Sequence, residues 1–186
     1  EAAFLAGAVR LAERMEELFW DEENGGFFLT PAGGETLIAR PKELYDGAMP
    51  SGNSAAALVL VRLGKLTGEP RWQELAHRQL SYLAGNIRDY PAGHCFSLLA
   101  FCEALYPSRE LLCACAGEPP QELRELAGQA DLHLLVKTAE NAEVLGKCAP
   151  FTALVPLPEQ GAVYYLCTGG SCSSPADSWE ELKKRL

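Results

Sequence analysis

The chain has 186 residues, a net charge of -9 and 48% hydrophobic residues. This composition is typical of one globular domain, or of one domain with a smaller second module. The excess of acidic residues argues against nucleic acid and anionic membranes as partners, because both bind clustered cations. No apolar run approaches the roughly 20 residues of a membrane span.

Seven cysteines lie mostly inside apolar runs, and an odd number does not fit a fully disulfide-bonded secreted chain. We therefore expect buried, reduced thiols and a cytoplasmic protein, with no cofactor. The chain lacks an initiator Met and starts with Glu1 inside a helical pattern. This start predicts a fragment of a longer protein.

The first part of the chain predicts helices. Apolar residues recur at steps of three and four over residues 4–20, 55–66, about 70–85 and 91–106. The first and third segments are amphipathic, and the second and fourth are apolar nearly all round. This alternation predicts outer and inner helices of a two-layer helical toroid.

The pattern changes after Pro107. Apolar runs at residues 110–117 and 132–137 flank a short helical segment, which predicts a βαβ unit with parallel strands. A third strand is predicted at residues 162–167. A capping box at residues 177–180 predicts the start of a final helix.

A polar loop at residues 40–54 precedes the first apolar helix. It combines charged, aromatic and amide side chains with two glycines and two prolines, which favour an irregular backbone. The segment before it, at residues 27–38, reads as a short β-hairpin or an extended loop.

Three segments together, at residues 19–28, 40–54 and 164–175, resemble one group of proteins. They are similar to the C-terminal part of the thioredoxin-domain-containing proteins related to spermatogenesis-associated protein 20. The resemblance covers the whole chain in order. It implies the last hairpins of a six-hairpin (α/α) toroid, similar to N-acylglucosamine 2-epimerase and six-hairpin glycosidases, behind a thioredoxin-like domain.

The predicted fold class is therefore mainly α. We expect residues 1–107 to form helical hairpins of an incomplete (α/α) toroid, and residues 108–186 to form an appended α/β segment. Because the ring would be incomplete, apolar helix faces would lie uncovered, which predicts self-association or a compact rearrangement of the chain.

In similar toroids, the loops before inner helices line a sugar-binding cavity, so the resemblance implies candidate site residues in and near the polar loop. The candidate catalytic residues are Glu43, Asp46 and His94, and the candidate ligand-binding residues are Arg40, Tyr45, Ser51 and Asn53. A structural alternative stays open. In it, Asp46 and Ser51 satisfy loop backbone groups, Asn53 caps a helix, and Arg40 pairs with Glu43.

Two cysteine pairs are also candidates for chemistry. Cys113 and Cys115 share one face of a predicted strand, and buried thiols explain them better than a metal site. Cys167 and Cys172 flank a glycine-rich turn, which leaves open a redox pair or half a metal site.

Two functions follow from the resemblance, and whether the chain is an enzyme stays open. One is a carbohydrate-binding or sugar-isomerising module with a sugar ligand. The alternative is a non-catalytic binding or scaffold module whose partner is the thioredoxin-like domain of the same full-length protein.

Overall fold

A computed structural model describes residues 2–34, 38–129, 131–169 and 171–186. The chain divides into two compact units, a helical unit of Ala8–Gly64 with Glu69–Tyr106, and a sheet unit formed mainly by Pro107–Leu186. Each unit has its own cluster of buried apolar side chains.

The first two helices are separated by residues 20–51, and the later helices follow one another with short connections. The helices of the first half are α1 (Ala2–Phe19), α2 (Gly52–Thr67), α3 (Pro70–Ile87), a 3-10 turn (Pro91–His94) and α4 (Cys95–Leu105). Gly68 ends α2 with a φ of 68°, a conformation that glycine adopts without steric cost. Pro70 follows at the first position of α3, where its missing N–H is not needed.

The sheet unit is built on strands β1 (Arg109–Cys115), β2 (Leu132–Lys137), β3 (Ala162–Thr168) and β4 (Ser171–Cys172). In the part of the chain that the structure describes, they form a four-stranded mixed sheet in the order β2-β1-β3-β4. β1 pairs with β2 in parallel and with β3 antiparallel. The parallel βαβ pairing predicted from the sequence is therefore confirmed.

Short helices complete the sheet unit. They are α5 (Leu123–Leu126), α6 (Ala142–Cys148), a 3-10 turn (Pro150–Leu154) and α7 (Trp179–Lys183). The capping box at the start of α7 lies one residue later than predicted, at residues 178–181. The Ser178 hydroxyl accepts the Glu181 N–H at 3.2 Å, and the Glu181 carboxylate accepts the Asp177 N–H at 3.2 Å. These reciprocal bonds satisfy N–H groups that a helix start leaves free.

The core of the sheet unit follows from strand alternation. Leu111, Cys113 and Cys115 point to one face of β1, beside Tyr164 and Leu166 of β3. Side chains of α5 and α7 belong to the same buried cluster.

The predicted fold class, a mainly α partial (α/α) toroid of helical hairpins, is wrong. The described chain is α/β, and a mixed sheet forms the core of its second unit. Apolar periodicity identifies individual helices, but it does not determine how helices pack together. The alternation of amphipathic and apolar helices therefore does not imply two rings.

The segment at residues 27–34 forms no strand in the described part of the chain, and only an isolated bridge joins Phe27 to Trp20. Residues 35–37, in the second half of the predicted hairpin, lie outside the described residues. Among the described helices, none is long and apolar enough to cross a membrane.

Candidate functional site

The polar loop lies in the helical unit and leads into α2. Backbone hydrogen bonds hold it at two points: the Leu29 N–H donates to the Pro41 carbonyl at 2.9 Å, and the Asp46 N–H donates to the Gly93 carbonyl at 2.8 Å. The loop therefore connects the chain after α1 to the 3-10 turn before α4.

The Asp46 carboxylate is shared by the N-terminal ends of two helices. One oxygen accepts the Ser51 N–H at 2.8 Å, and the other accepts the Phe96 and Ser97 N–H groups at 2.8 and 3.2 Å. Burial acts to raise the pKa of Asp46, but hydrogen bonds from Ser51, Ser54 and α4 outweigh it and lower the pKa. A carboxylate held as an anion is suited to capping helices and poorly suited to general-acid catalysis.

A chain of buried hydroxyls continues from this carboxylate. Ser51 caps α2, because its Oγ accepts the Ser54 N–H at 3.1 Å. The Oγ atoms of Ser51 and Ser54 are 2.7 Å apart, and those of Ser54 and Ser97 are 2.8 Å apart. All three serines are buried. They join the start of α2 to the start of α4 and do not face solvent.

Asn53 uses its whole side-chain amide within the protein. Its nitrogen donates to the Phe27 and Glu43 carbonyls, both at 2.9 Å. Its oxygen accepts the Phe27 N–H at 2.7 Å and the Gln79 amide at 3.1 Å. An amide offers two donors and two acceptor sites, so the hydrogen-bonding capacity of Asn53 is filled.

Arg40 and Glu43 have separate environments. The Arg40 guanidinium donates to the Thr30 carbonyl at 2.6 Å and lies 4.0 Å from the centre of the Phe28 ring. The Glu43 side chain is exposed. Within the described residues, no ion pair joins the two, so the pairing considered in the structural alternative is not formed.

Sequence reasoning missed Lys42, which lies between these two residues. Its Nζ donates to the Asp21 carboxylate at 2.6 Å and to the Gly25 carbonyl at 2.5 Å. It also lies 4.6 and 4.7 Å from the ring centres of Phe28 and Tyr82. The Lys42 ammonium holds the pKa of Asp21 well below its usual range. No spacing in the sequence indicates this pair, because 21 residues separate its members.

His94 and Tyr45 lie at the outer side of the loop. His94 Nδ1 is 2.7 Å from the Leu44 carbonyl and is the donor in this hydrogen bond. The Tyr45 ring meets the His94 ring edge-on, with centroids 6.3 Å apart, and 54% of Tyr45 is exposed. A Cβ on Gly93 would lie 2.5 Å from the Tyr90 ring, so a larger residue there would have to displace that ring.

α4 presents an apolar stripe to solvent. Its members recur at steps of three and four, which places them on one side of the helix. They are Cys95, Leu98, Leu99, Cys102 and Leu105, and all are exposed. The opposite side of α4 is buried at Ser97 and Ala100.

The sheet unit holds the remaining candidates. Cys167 and Cys172 are joined in a disulfide across the β3–β4 pair, and Cys113 and Cys115 are free and buried. Burial raises the pKa of the Cys113 thiol to about 12. Among the described residues, no group of three or more His, Cys, Asp or Glu could hold a metal ion.

These observations define a small α/β protein whose predicted catalytic loop is mostly occupied by its own hydrogen bonds. No family model matches the chain. The chain is similar to spermatogenesis-associated protein 20, with 29% identity to the human protein over 196 residues and 28% to the mouse protein over 197 residues. Each match covers 100% of this chain and 24% of the relative, so the chain spans about a quarter of their length.

The comparisons confirm the predicted relation to spermatogenesis-associated protein 20 over the whole chain. The thioredoxin-like domain and the sugar ligand remain predictions. The catalytic and ligand-binding roles of the loop residues and of His94 also remain predictions. The redox role of Cys167 and Cys172 stays a prediction as well.

Proposed function

We propose that this chain is a non-catalytic docking module of a larger protein, and that the apolar stripe of α4 binds other helical parts of the same polypeptide. The observation that carries the proposal is that all five residues of the stripe are exposed, with Leu99 54% and Leu105 78% exposed. An exposed apolar surface of this kind marks a site of association.

The choice of partner rests on length. The chain spans about a quarter of its curated relatives, so most of such a polypeptide lies outside it. Apolar positions along one helical stripe fit another helix laid along α4, since helix pairs bury the same three-and-four spacing. A thioredoxin-like domain, implied by the sequence resemblance, is one part of the larger protein that such a module would serve.

The alternative of a sugar site has less support. Asp46, Ser51 and Asn53 would have to break bonds to helix starts and loop carbonyls before binding hydroxyl groups of a ligand. Each buried group that loses its partner costs about 1–3 kcal/mol. These contacts favour a structural role for the loop.

The test compares two contexts. Leu98→Glu with Leu105→Glu is introduced into this chain and into the complete polypeptide that its gene encodes. Both side chains are exposed in the chain, so its melting temperature should stay unchanged at a dilution where the chain is monomeric. In the complete polypeptide the same change should lower the melting temperature by several degrees, because charges would be buried.

Leu154→Glu is the matched control, because Leu154 is 86% exposed and lies in the sheet unit. It should change neither melting temperature. If the double variant leaves the complete polypeptide as stable as the wild type, α4 is not covered there and the docking proposal fails.

A further inference from the structure

We infer that the sheet unit binds a small organic cation, of the ammonium class, in a crevice at the carboxyl end of β1. This inference concerns a different surface from α4 and does not depend on the docking proposal. The crevice has a volume of about 400 Å³, within the lower range of small-molecule sites. Its lining includes Glu118, Tyr164, Asp177 and Trp179.

The sheet topology explains why a crevice forms there. The chain leaves β1 after Cys115 and enters the antiparallel β3 at Ala162. The segment after β1 and the segment before β3 therefore lie at the same end of the two strands. The Ala116 N–H donates to the Gly161 carbonyl at 3.0 Å and ties them together. The segments that follow β1 and precede β3 therefore both line the crevice.

Aromatic side chains form one wall. Tyr164 and Trp179 have ring centroids 6.2 Å apart and planes at 56°. Tyr164 and Ala176 exchange two backbone hydrogen bonds of 2.9 Å, which hold the chain before Trp179 against β3. Aromatic faces attract cations through their quadrupole, and Trp does so most strongly.

The charges that line the crevice favour a cationic ligand. The lining includes the carboxylates of Glu118 and Asp177 and no Lys, Arg or His. Within the described residues, neither carboxylate has a hydrogen bond or an ion pair. The chain as a whole carries a net charge of -9, which adds to the attraction for cations.

Tyr164 supplies a polar group that the fold does not use. It is 3% exposed, and within the described part of the chain its hydroxyl forms no hydrogen bond. Burial raises its pKa to about 12, so the phenol stays neutral. A neutral phenol, two carboxylates and an indole suit an ammonium group better than an inorganic ion, which needs several converging oxygen ligands.

The experiment titrates the full chain with tetramethylammonium chloride and follows the indole N–H resonance of Trp179 by NMR. Sodium chloride keeps the ionic strength constant. We expect a saturable shift of that resonance, with little change at Trp20 and Trp72, which are 8% and 2% exposed. Neutral tert-butanol, which has a similar shape, should shift it far less.

Glu118→Gln with Asp177→Asn should weaken binding of tetramethylammonium by about tenfold, because both opposing charges are lost. Glu180→Gln is the matched control. Glu180 is exposed beside Trp179, pairs with Lys183 and does not line the crevice, so its removal should leave the affinity unchanged.

The inference would be overturned by no saturable shift of the Trp179 resonance, by an equal response to tert-butanol, or by unchanged affinity in the double carboxamide variant. A stronger response to magnesium chloride than to tetramethylammonium would also overturn it, since the crevice would then be a metal site.

Discussion

The two units differ in how the polar side chains of their candidate sites are used. In the helical unit, Asn53, Ser54 and Ser97 are buried, while Leu99 and Leu105 on α4 are exposed. In the sheet unit, apolar residues of β1 and β3 fill the core, and the carboxylates of Glu118 and Asp177 lie outside. A polar side chain is therefore better judged by its unused bonding capacity than by its type.

The largest effect is expected at Asn53. Asn53→Ala would remove four hydrogen bonds and leave buried carbonyl and N–H groups without a partner. We expect the free energy of unfolding to fall by about 3–4 kcal/mol. Urea titration followed by circular dichroism measures it. Asn86→Ala, at an exposed position of α3, should cost less than about 1 kcal/mol. Equal losses for the two variants would mean that the loop is not a structural element.

A smaller effect, with a pH signature, is expected at Asp46. Asp46→Asn keeps an acceptor for one helix start and loses the other, which should cost about 1–2 kcal/mol at pH 7. The lowered pKa means that the carboxylate's contribution is complete above about pH 4 and is lost as the pH falls through the folded-state pKa.

The difference in stability between wild type and Asp46→Asn should therefore narrow as the pH is lowered below 4 in a urea titration series. Glu43→Gln, in the same loop but exposed, serves as the control and should change stability little at any pH. A difference that stays constant with pH would contradict the capping role of the carboxylate.

Self-association of the chain should depend on the exposed apolar stripe of α4 in the helical unit and not on the exposed Leu154 of the sheet unit. The isolated chain is expected to form dimers or larger species as its concentration rises, because the α4 stripe is uncovered. Sedimentation velocity should show this for the wild type and for Leu154→Glu. Leu98→Glu with Leu105→Glu should sediment as a monomer. A wild type that stays monomeric throughout would show that the stripe does not bind a second copy.

Thiol counting gives the smallest but most detailed signal. Of the five free cysteines, Cys95 and Cys102 are exposed, whereas Cys113 and Cys115 are buried. We expect Cys95 and Cys102 to react fastest with a thiol reagent in the native chain, five thiols after denaturation, and seven after reduction of the Cys167–Cys172 disulfide. Seven thiols without reduction would contradict the disulfide.

The sequence predicts local elements well where one periodicity dominates. The helices near residues 4–20 and 55–66, the three main strands and the parallel pairing of β1 with β2 all follow from spacing. The antiparallel addition of β3 does not, because strand orientation depends on long-range pairing. The arrangement of the helices was also not predictable from their apolar faces.

The candidate site shows the same limit. Polar residues of the loop mark an irregular, hydrogen-bonded segment, but only coordinates reveal that Asp46 reaches Phe96, 50 residues away. The Lys42–Asp21 pair and the crevice around Trp179 also depend on contacts between distant residues, so no pattern in the sequence predicted them. The sequence also did not predict the exposure of the α4 stripe, because an apolar helix predicts burial.

The most direct test of the docking role uses the native thiols on α4. Cys95 and Cys102 would be labelled with a maleimide in the isolated chain, at a dilution where it is monomeric, and in the complete polypeptide, and quantified by mass spectrometry. Leu154→Cys adds a reference thiol at a position that is exposed in this chain. We predict fast labelling of both native thiols in the chain and strong protection of both in the complete polypeptide. Equal labelling rates in the two contexts would contradict the account.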